Sequence, residues 1–491
     1  MTHPKSNSDA LPGAGNTRPE PQHLAHLRLM KKALERTTIP FLGLSEPTIS
    51  AAGTRRLHEA NPLATIQTQA HSRPPEEILL EGADFIQAQR QAQPAHTQVE
   101  LPLMVQYDLY HLVEAMPETR TAAPNDAMHS FFHRQVAYDT LLDHCQYFLD
   151  QQGFLMLMWH TYHPAWEDWS FYRITNQTGT DKPIGFDDTM NNQFNMMHLP
   201  DALSRAEQQR IIKQTIKGFD APVTKVREAS VFRKKLDYIA EFAKALATRQ
   251  GSAIFRPYHE HSPGNWFWWC LDNLSDDPEE AASLYRELFH KTRTYLEHQG
   301  VDNLLYCYSP DLPFQHPFET KAAFLEHYHR GMPDIDTVDV LGMDAYLWKL
   351  FMSEDQEAFA NASTIEDKEA QQREYQRILA RPWERALQMC TWLREEYPDK
   401  IVGLTETGWN YKKWGNFNGE PIEAFWQQVG TQSVLSLPES ERPHFLCLWR
   451  NDIGDRYCPW DNGSTVFASE AAALANALLT QIVDLPPSST I

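Results

Sequence analysis

Positive charge and long apolar runs are both scarce in this 491-residue sequence. Its 44 lysines and arginines stand against 65 aspartates and glutamates, which gives a formal net charge of −21 at pH 7. Such a surplus of negative charge argues against nucleic acid and anionic membranes as partners. No apolar run approaches the roughly 18–20 residues that a membrane-spanning helix needs. We therefore expect neither a nucleic-acid partner nor a membrane partner.

Cysteine is also sparse, and the cysteine positions do not suggest a site. The six cysteines are scattered along the chain without the short spacing of metal ligands. Two of them, Cys307 and Cys447, lie in apolar runs, where a free thiol behaves as a small hydrophobic group. No glycine-rich phosphate-binding loop follows an early apolar run either. We expect no metal ion and no cofactor.

The N-terminal segment has the composition of a tail. Residues 1–20 are rich in proline, glycine, serine and asparagine and contain no apolar segment of the kind found in signal peptides. We interpret 1–20 as a flexible tail, 21–485 as a single domain and 486–491 as a C-terminal tail. The location stays open: cytoplasmic, or secreted or periplasmic if a signal was removed from this chain.

Short apolar runs recur along the chain and predict a parallel sheet. Continuous apolar runs of about four to eight residues suit strands that are buried on both faces, as parallel sheets require. The eight predicted strands are "PFLGL" (40–44), "LPLMVQYD" (101–108), "FLMLMW" (154–159), "SAIFRP" (252–257), "NLLYCY" (303–308), "VDVLGMD" (338–344), "IVGLT" (401–405) and "HFLCLW" (444–449).

Amphipathic helix patterns lie between the predicted strands. In 223–249, one face of a helix collects apolar residues at steps of three and four, namely Phe232, Leu236, Ile239, Phe242 and Leu246. The same pattern predicts helices in 126–150, 277–299, 366–397 and 420–436. Eightfold alternation of strand and helix predicts an α/β fold, a (β/α)8 TIM barrel in a single domain, with an open doubly wound sheet as the alternative.

Side chains suited to chemistry stand at the C-terminal ends of these strands, where the active sites of such barrels lie. Two are glutamates, Glu260 after strand 4 and Glu406 after strand 7, which would face the barrel mouth from opposite sides. The other residues at these ends are Asp108, Trp159, His160, His163, His259, Tyr308, Asp344, Tyr346, Trp449, Arg450 and Asn451.

The two glutamates suit hydrolysis of a glycosidic bond. One carboxyl must protonate the leaving oxygen, while another carboxylate attacks the sugar or activates a water. We assign the acid to Glu260, because the rings of 266–269 and the charge of Glu406 would raise its pKa. Glu406 would stay ionised if the Tyr346 hydroxyl donates a hydrogen bond to it. The neighbouring aromatic rings would stack on sugar faces.

Other interpretations of these residues remain open. Either glutamate alone fits an ion-paired carboxylate, and the rings of "WFWW" or Tyr346 fit a hydrophobic core. The pairs His160 with His163 and His259 with His261 match no HExxH motif, so we do not expect a metal. A carbohydrate-binding barrel without turnover would keep the aromatics, but it would not need both carboxylates.

The strand ends resemble glycoside hydrolase family 26, whose members are mostly β-mannanases. The motifs that carry the resemblance are "FRPYHEHSPGNWFWW", "YSPD", "MDAY", "VGLTETGW" and "LWRN", in this order. The likeness covers most of residues 40–451, and the "RPxHE…WFWW" element is its most specific part. It implies a retaining β-glycoside hydrolase that acts by double displacement on β-1,4-mannan, glucomannan or derived manno-oligosaccharides, most simply a mannan endo-1,4-β-mannosidase.

The resemblance also implies a role for each matched residue. Glu260 would be the general acid/base and Glu406 the nucleophile, which Tyr346 would orient. The residues that would bind substrate are His160, His259, Trp266, Tyr346, Trp449 and Arg450.

The sequence departs from the family pattern near the expected sugar pockets. The loop between Glu260 and Trp266 is one residue longer than the pattern. Cys270 replaces a glycine, and His163 stands where asparagine is expected. None of these changes involves the two glutamates, so they bear on the substrate more than on the reaction. Mixed-linkage β-glucan and β-xylan stay open as substrates of the same barrel and mechanism.

Overall fold

The computed structural model covers the barrel strands and most of the helices in the second half of the chain. It describes residues 21–36, 41–45, 103–109, 154–161, 163–164, 204–222, 225–262, 267–313, 318–408 and 431–448, with a few isolated positions between 113 and 149. In this part of the chain, no helix is long and apolar enough to cross a membrane. The predicted tails, 1–20 and 486–491, lie outside the described residues.

Eight parallel strands form a closed barrel, which confirms the predicted (β/α)8 fold. Each strand pairs with the next one in the chain, and the eighth pairs with the first, so the sheet closes on itself. The strands are β1 (Phe41–Ser45), β2 (Leu103–Asp108), β3 (Phe154–Trp159), β4 (Ala253–Pro257), β5 (Leu304–Tyr308), β6 (Val340–Tyr346), β7 (Ile401–Gly408) and β8 (Phe445–Leu448).

The C-terminal ends of β6 and β7 extend beyond the apolar runs that predicted these strands. β6 continues to Tyr346 and β7 to Gly408, so that Glu406 lies inside a strand instead of following it. The sequence pattern ended these strands where polar residues begin. In the barrel those polar residues find partners on neighbouring strands, which lets the ladder continue.

Helices pack around the outside of the barrel, and those predicted at 223–249, 277–299 and 366–397 are confirmed. The predicted helix at 126–150 and residues 420–430 lie largely outside the described residues. The described α-helices are α1 (Gln22–Arg36), α2 (Arg205–Gly218), α3 (Arg227–Thr248), α4 (Leu271–Leu274), α5 (Pro278–His298), α6 (Lys321–Tyr328), α7 (Ser353–Ala362), α8 (Lys368–Glu396) and α9 (Thr431–Ser436).

Apolar side chains pack on both faces of the barrel strands. An inner cluster occupies the barrel interior, and Met30 and Leu34 of α1 belong to it, so this helix covers one end of the barrel. A larger outer cluster lies between the strands and the surrounding helices. The inner cluster takes Ile254 from β4, while Ala253 and Phe255 belong to the outer one. This alternation fixes which side chains of β4 point inward.

Gly403 of β7 allows a ring from the neighbouring strand to fill the barrel interior. A Cβ atom at this position would lie 2.5–2.7 Å from three ring carbons of Phe445. We expect Gly403→Ala to lower the free energy of unfolding by about 1–3 kcal/mol, because the ring has to move within a packed core. Urea unfolding measures the loss. Adding Phe445→Leu should recover part of it, and fully additive losses would contradict the proposed clash.

Candidate active site

Arg256 of β4 points into the barrel and carries a fully buried positive charge. It follows Ile254 of the inner cluster by two residues and therefore shares its face of the strand. Its guanidinium donates to the two oxygens of Asp344 at 3.1 and 2.8 Å, and to Oε1 of Glu406. A charge without solvent exposure needs such partners, since an unpaired one is strongly destabilising. Arg256 thus connects β4 to β6 and β7.

A bulge in β7 turns Glu406 toward this arginine. Met343 pairs with Leu404 but Asp344 pairs with Glu406, so Thr405 is an extra residue in the ladder. Successive residues of a regular strand point to opposite faces. Here both Thr405 and Glu406 reach the interior, because the Thr405 hydroxyl donates to Asp344 at 2.6 Å while Glu406 accepts from the arginine.

The carboxylate of Glu406 is buried and held from several sides. The Tyr346 hydroxyl donates to Oε2 at 2.5 Å, and Arg256 donates to Oε1. Nε2 of His259 lies 3.8 Å from the same Oε1. Both oxygens of Glu406 are therefore engaged as acceptors, an arrangement that suits an ionised carboxylate.

The chain turns sharply after β4, and this turn sets the position of Glu260. Tyr258 and Glu260 both have left-handed backbones, with φ of 53° and 52°. Such a conformation costs roughly 1–2 kcal/mol for a residue with a Cβ atom, so the surrounding contacts must hold it. Three successive carbonyls of the turn each accept a hydrogen bond from a side chain: Tyr258 from Tyr285 at 2.8 Å, His259 from Trp269 at 2.7 Å, and Glu260 from Cys270 at 3.3 Å.

Glu260 lies in surroundings that favour its protonated form. Burial, the nearby Asp311 carboxylate and Glu406 together raise the pKa of Glu260 to about 8, although Lys349 and Arg256 act in the opposite direction. Nζ of Lys349 lies 3.7 Å from Oε1 of Glu260. The carboxyl of Glu260 is therefore able to hold a proton near neutral pH.

Two histidines lie beside Glu406, and a carboxylate orients one of them. Asp108 accepts from Nδ1 of His160 at 2.6 Å and from its backbone N–H at 3.2 Å. The rings of His160 and His259 meet edge to face, with centroids 4.4 Å apart. Burial, Arg256 and His160 lower the pKa of His259 well below its ordinary value, so its ring is neutral. Its Nδ1 has no hydrogen-bond partner among the described residues.

The aromatic run after Glu260 belongs largely to the core. Phe267, Trp268 and Trp269 are buried, with at most 5% of the surface of each exposed. Trp268 donates to the carbonyl of Thr161 at 2.8 Å, and His163 packs near its ring. The expectation that these rings stack on sugars is therefore wrong for all three. These rings form the part of the core that lies next to the turn at Glu260.

The structure brings most of the predicted site residues together. Glu260, Glu406, His160, His259 and Tyr346 converge at the C-terminal end of the barrel. Trp266, Trp449 and Arg450 lie outside the described residues.

Sequence reasoning missed three charged residues of the site, Arg256, Asp311 and Lys349. Arg256 gave a signal, because a charge inside the apolar run "SAIFRP" can be buried only with a partner. Lys349 gave the same signal, because it stands among apolar residues in 345–352, and Asp311 belongs to the "YSPD" motif.

Asp344 and Glu406 also form a group with His259 whose ligand atoms lie within 4.8 Å of one another. Three such ligand atoms would form part of a metal site. Here the Arg256 guanidinium contacts both carboxylates, so the protein itself supplies the positive charge between them.

Known proteins match this chain in both sequence and fold. The model of glycosyl hydrolase family 26 matches residues 212–373, which include Glu260 and the turn after β4. A mannan endo-1,4-β-mannosidase of Bacillus subtilis is 38% identical over 112 residues, and a second one, from strain 168, is 32% identical over 139 residues. This segment of the chain is thus similar to glycoside hydrolase family 26.

The matched part of these relatives is limited. The alignments cover 23% and 26% of this chain, and 28% and 35% of the two relatives, so the chain spans about a third of their length. All of the glycoside hydrolase family 26 match lies between α2 and α8, on the side of the barrel that carries Glu260.

Solved structures extend the likeness in fold to nearly the whole chain. An endo-β-1,4-mannanase double mutant of Cellulomonas fimi superposes with a TM-score of 0.55 at 20% identity, covering 91% of this chain and 74% of that one. The catalytic domain of a family 26 endo-β-1,4-mannanase of Bacillus sp. JAMB-750 gives a TM-score of 0.52 at 17% identity, covering 93% and 90%. These likenesses establish the same barrel fold.

Arg256→Met is expected to destabilise this barrel strongly, lowering the free energy of unfolding by about 3–5 kcal/mol. The methionine keeps much of the volume but leaves Asp344 and Glu406 as buried carboxylates without a cation. Chemical denaturation at pH 7 measures the loss. Arg249→Met is the matched control, since Arg249 pairs with Asp143 at 2.8 Å but is partly exposed, and its loss should stay below about 1 kcal/mol. Equal losses in the two variants would contradict the central role of Arg256.

Proposed function

We propose that this protein is a retaining β-glycoside hydrolase that acts on β-1,4-mannan, glucomannan or derived manno-oligosaccharides. The observation that carries the proposal is the contrast between its two glutamates. Glu260 lies where burial and negative charge favour a bound proton, and Glu406 accepts hydrogen bonds on both oxygens. The relatives in Bacillus subtilis, which bear the name mannan endo-1,4-β-mannosidase, support the choice of substrate.

In the first step, Glu406 would attack the anomeric carbon of the bound sugar. Glu260 gives its proton to the glycosidic oxygen as the bond from carbon to oxygen breaks. The products of this step are the leaving sugar and a glycosyl ester on Glu406. Tyr346 and Arg256 hold the attacking carboxylate in one orientation, so it is already positioned for attack.

In the second step, Glu260 would act as a base. It is now a carboxylate, and it takes a proton from the water that attacks the anomeric carbon. The ester bond breaks and Glu406 is released as a carboxylate. Two inversions at the same carbon leave the product with the configuration of the substrate.

The remaining predicted residues would bind the sugar ring at the cleavage point. The unpartnered Nδ1 of His259 is a polar atom that a sugar hydroxyl could satisfy, and Asp108 holds the ring of His160 in a single orientation. Tyr346 lies against Glu406 and would contact the same sugar. The roles of Trp266, Trp449 and Arg450 as further sugar contacts remain proposals from the resemblance.

Hydrolysis of a polysaccharide panel tests the reaction and the substrate together. We expect release of reducing sugar from β-mannan and glucomannan, and its loss by at least about a thousandfold in Glu406→Ala, because no nucleophile remains. Mixed-linkage β-glucan and xylan complete the panel. Glu396→Ala, on the exposed end of α8, is the matched control and should retain full activity.

Each outcome of the panel decides between stated alternatives. Activity on β-glucan or xylan alone would keep the two glutamates and discard mannan. Activity that persists in Glu406→Ala would remove Glu406 from the mechanism. If neither the four polymers nor short manno-oligosaccharides are hydrolysed but binding is retained, the result would favour a carbohydrate-binding barrel without turnover.

The configuration of the first product tests the double displacement. Proton NMR of early hydrolysis products should show the β anomer, which later mutarotates. An α anomer at the earliest time points would mean that water attacks directly and that Glu406 acts as a base.

A further inference from the structure

Lys349 is a buried lysine beside Glu260 that the proposed mechanism does not yet use. It lies just after β6, with only 3% of its surface exposed. Its Nζ lies 3.7 Å from Oε1 of Glu260 and 2.6 and 2.5 Å from the two oxygens of Asp311. Burial lowers its pKa, but Asp311 and Glu260 outweigh that effect, so the pKa of Lys349 lies above its ordinary value. The amine therefore stays charged.

Asp311 is held firmly enough to anchor this lysine. Its Oδ1 also accepts from the backbone N–H of Leu312 at 2.8 Å. Its carbonyl lies 3.1 Å from Nε2 of His327, and its backbone forms a bridge with Asp344 of β6. The carboxylate is fully buried. Lys349 thus joins the segments that follow β5 and β6, and its position relative to Glu260 is fixed.

We propose that Lys349, anchored by Asp311, is a positioning residue that balances the protonation of Glu260 between the two steps of hydrolysis. This inference rests on the proposed function. In the first step Glu260 becomes a buried carboxylate, and the ammonium group beside it stabilises that charge. Asp311 neutralises part of the positive charge, so that Glu260 can hold its proton before the reaction begins.

The charged and titratable groups that face Glu260 come from several strands around it. Negative charges from Asp311, Glu406 and Asp344 oppose its ionisation, and positive charges from Arg256 and Lys349 favour it. The thiol of Cys270 contacts its carbonyl, and burial keeps that thiol protonated by raising its pKa. Lys349 donates to Asp311, whereas Arg256 donates to Glu406, so the two cations bind different carboxylates.

The test is a direct titration of the Glu260 carboxyl in protein that contains glutamate labelled with carbon-13 at Cδ. Comparison with Glu260→Gln assigns the signal. In Asp311→Asn the lysine charge remains and the opposing charge is gone, so the pKa of Glu260 should fall by on the order of one pH unit. In the double variant Asp311→Asn with Lys349→Gln, it should rise again by a similar amount.

The double variant is needed because Lys349→Gln alone would change two charges. Burial raises the pKa of Asp311, and without the lysine this carboxylate would take up a proton. Once Asp311→Asn has made that position neutral, the difference between single and double variants belongs to Lys349. An equal pKa of Glu260 in these two variants would overturn the proposal. If the double variant does not fold, an unchanged pKa in Asp311→Asn alone would overturn it as well.

Asp355→Asn serves as the matched control for structural disturbance. Asp355 is a buried carboxylate at the start of α7 that pairs with Arg381 and Arg385, away from the Glu260 site. Its removal should lower the free energy of unfolding but leave the titration of Glu260 unchanged. A shift of the Glu260 pKa in this control would mean that the titration reports general loosening of the barrel, which also overturns the proposal.

The pH dependence of kcat/KM separates this inference from the proposed function. Glu260 has to be protonated in the free enzyme, so activity should fall as pH rises through its pKa, near 8 in the wild-type protein. This descending limb should move to lower pH in Asp311→Asn and back in the double variant. If the carboxyl titrates as expected but the limb does not follow it, the acid role of Glu260 fails while the effect of Lys349 stands.

Discussion

The buried guanidinium of Arg256 is the interaction on which the site depends. It is the cation that two interior carboxylates, Asp344 and Glu406, share between them. Each of these ions alone would be strongly unfavourable in the barrel interior, and together they are tolerated because every charge has a partner. The same contacts join β4, β6 and β7. The arginine therefore holds the carboxylate of Glu406 in place.

Glu260 lies in the turn after β4, whose backbone conformation is strained. Left-handed backbone at Tyr258 and Glu260 is unfavourable by itself, and three side-chain donors compensate it by holding successive carbonyls. One donor is the Cys270 thiol. Trp269 supplies another donor, to the carbonyl of His259. Trp268 donates to the carbonyl of Thr161 instead.

Local sequence patterns predicted the strands, because strands buried on both faces are continuous apolar runs. They also singled out both glutamates, because each stands at the end of such a run. They could not predict pairings between distant positions: Arg256 reaches Asp344 over 88 residues and Glu406 over 150. The bulge at Thr405, which decides where Glu406 points, depends on register with β6. Phe267, Trp268 and Trp269 were misinterpreted, since apolar rings at a strand end fit a sugar platform and a core equally well.

The two carboxyl groups lie beside cations that differ in kind and in distance. Glu406 is in direct contact with an arginine, which keeps its charge at any pH relevant to proteins. Glu260 faces a lysine 3.7 Å away whose charge is already shared with Asp311. Burial and the Asp311 carboxylate raise the pKa of Glu260, and the partly neutralised ammonium of Lys349 offsets only part of that rise, so this carboxyl can gain and lose a proton.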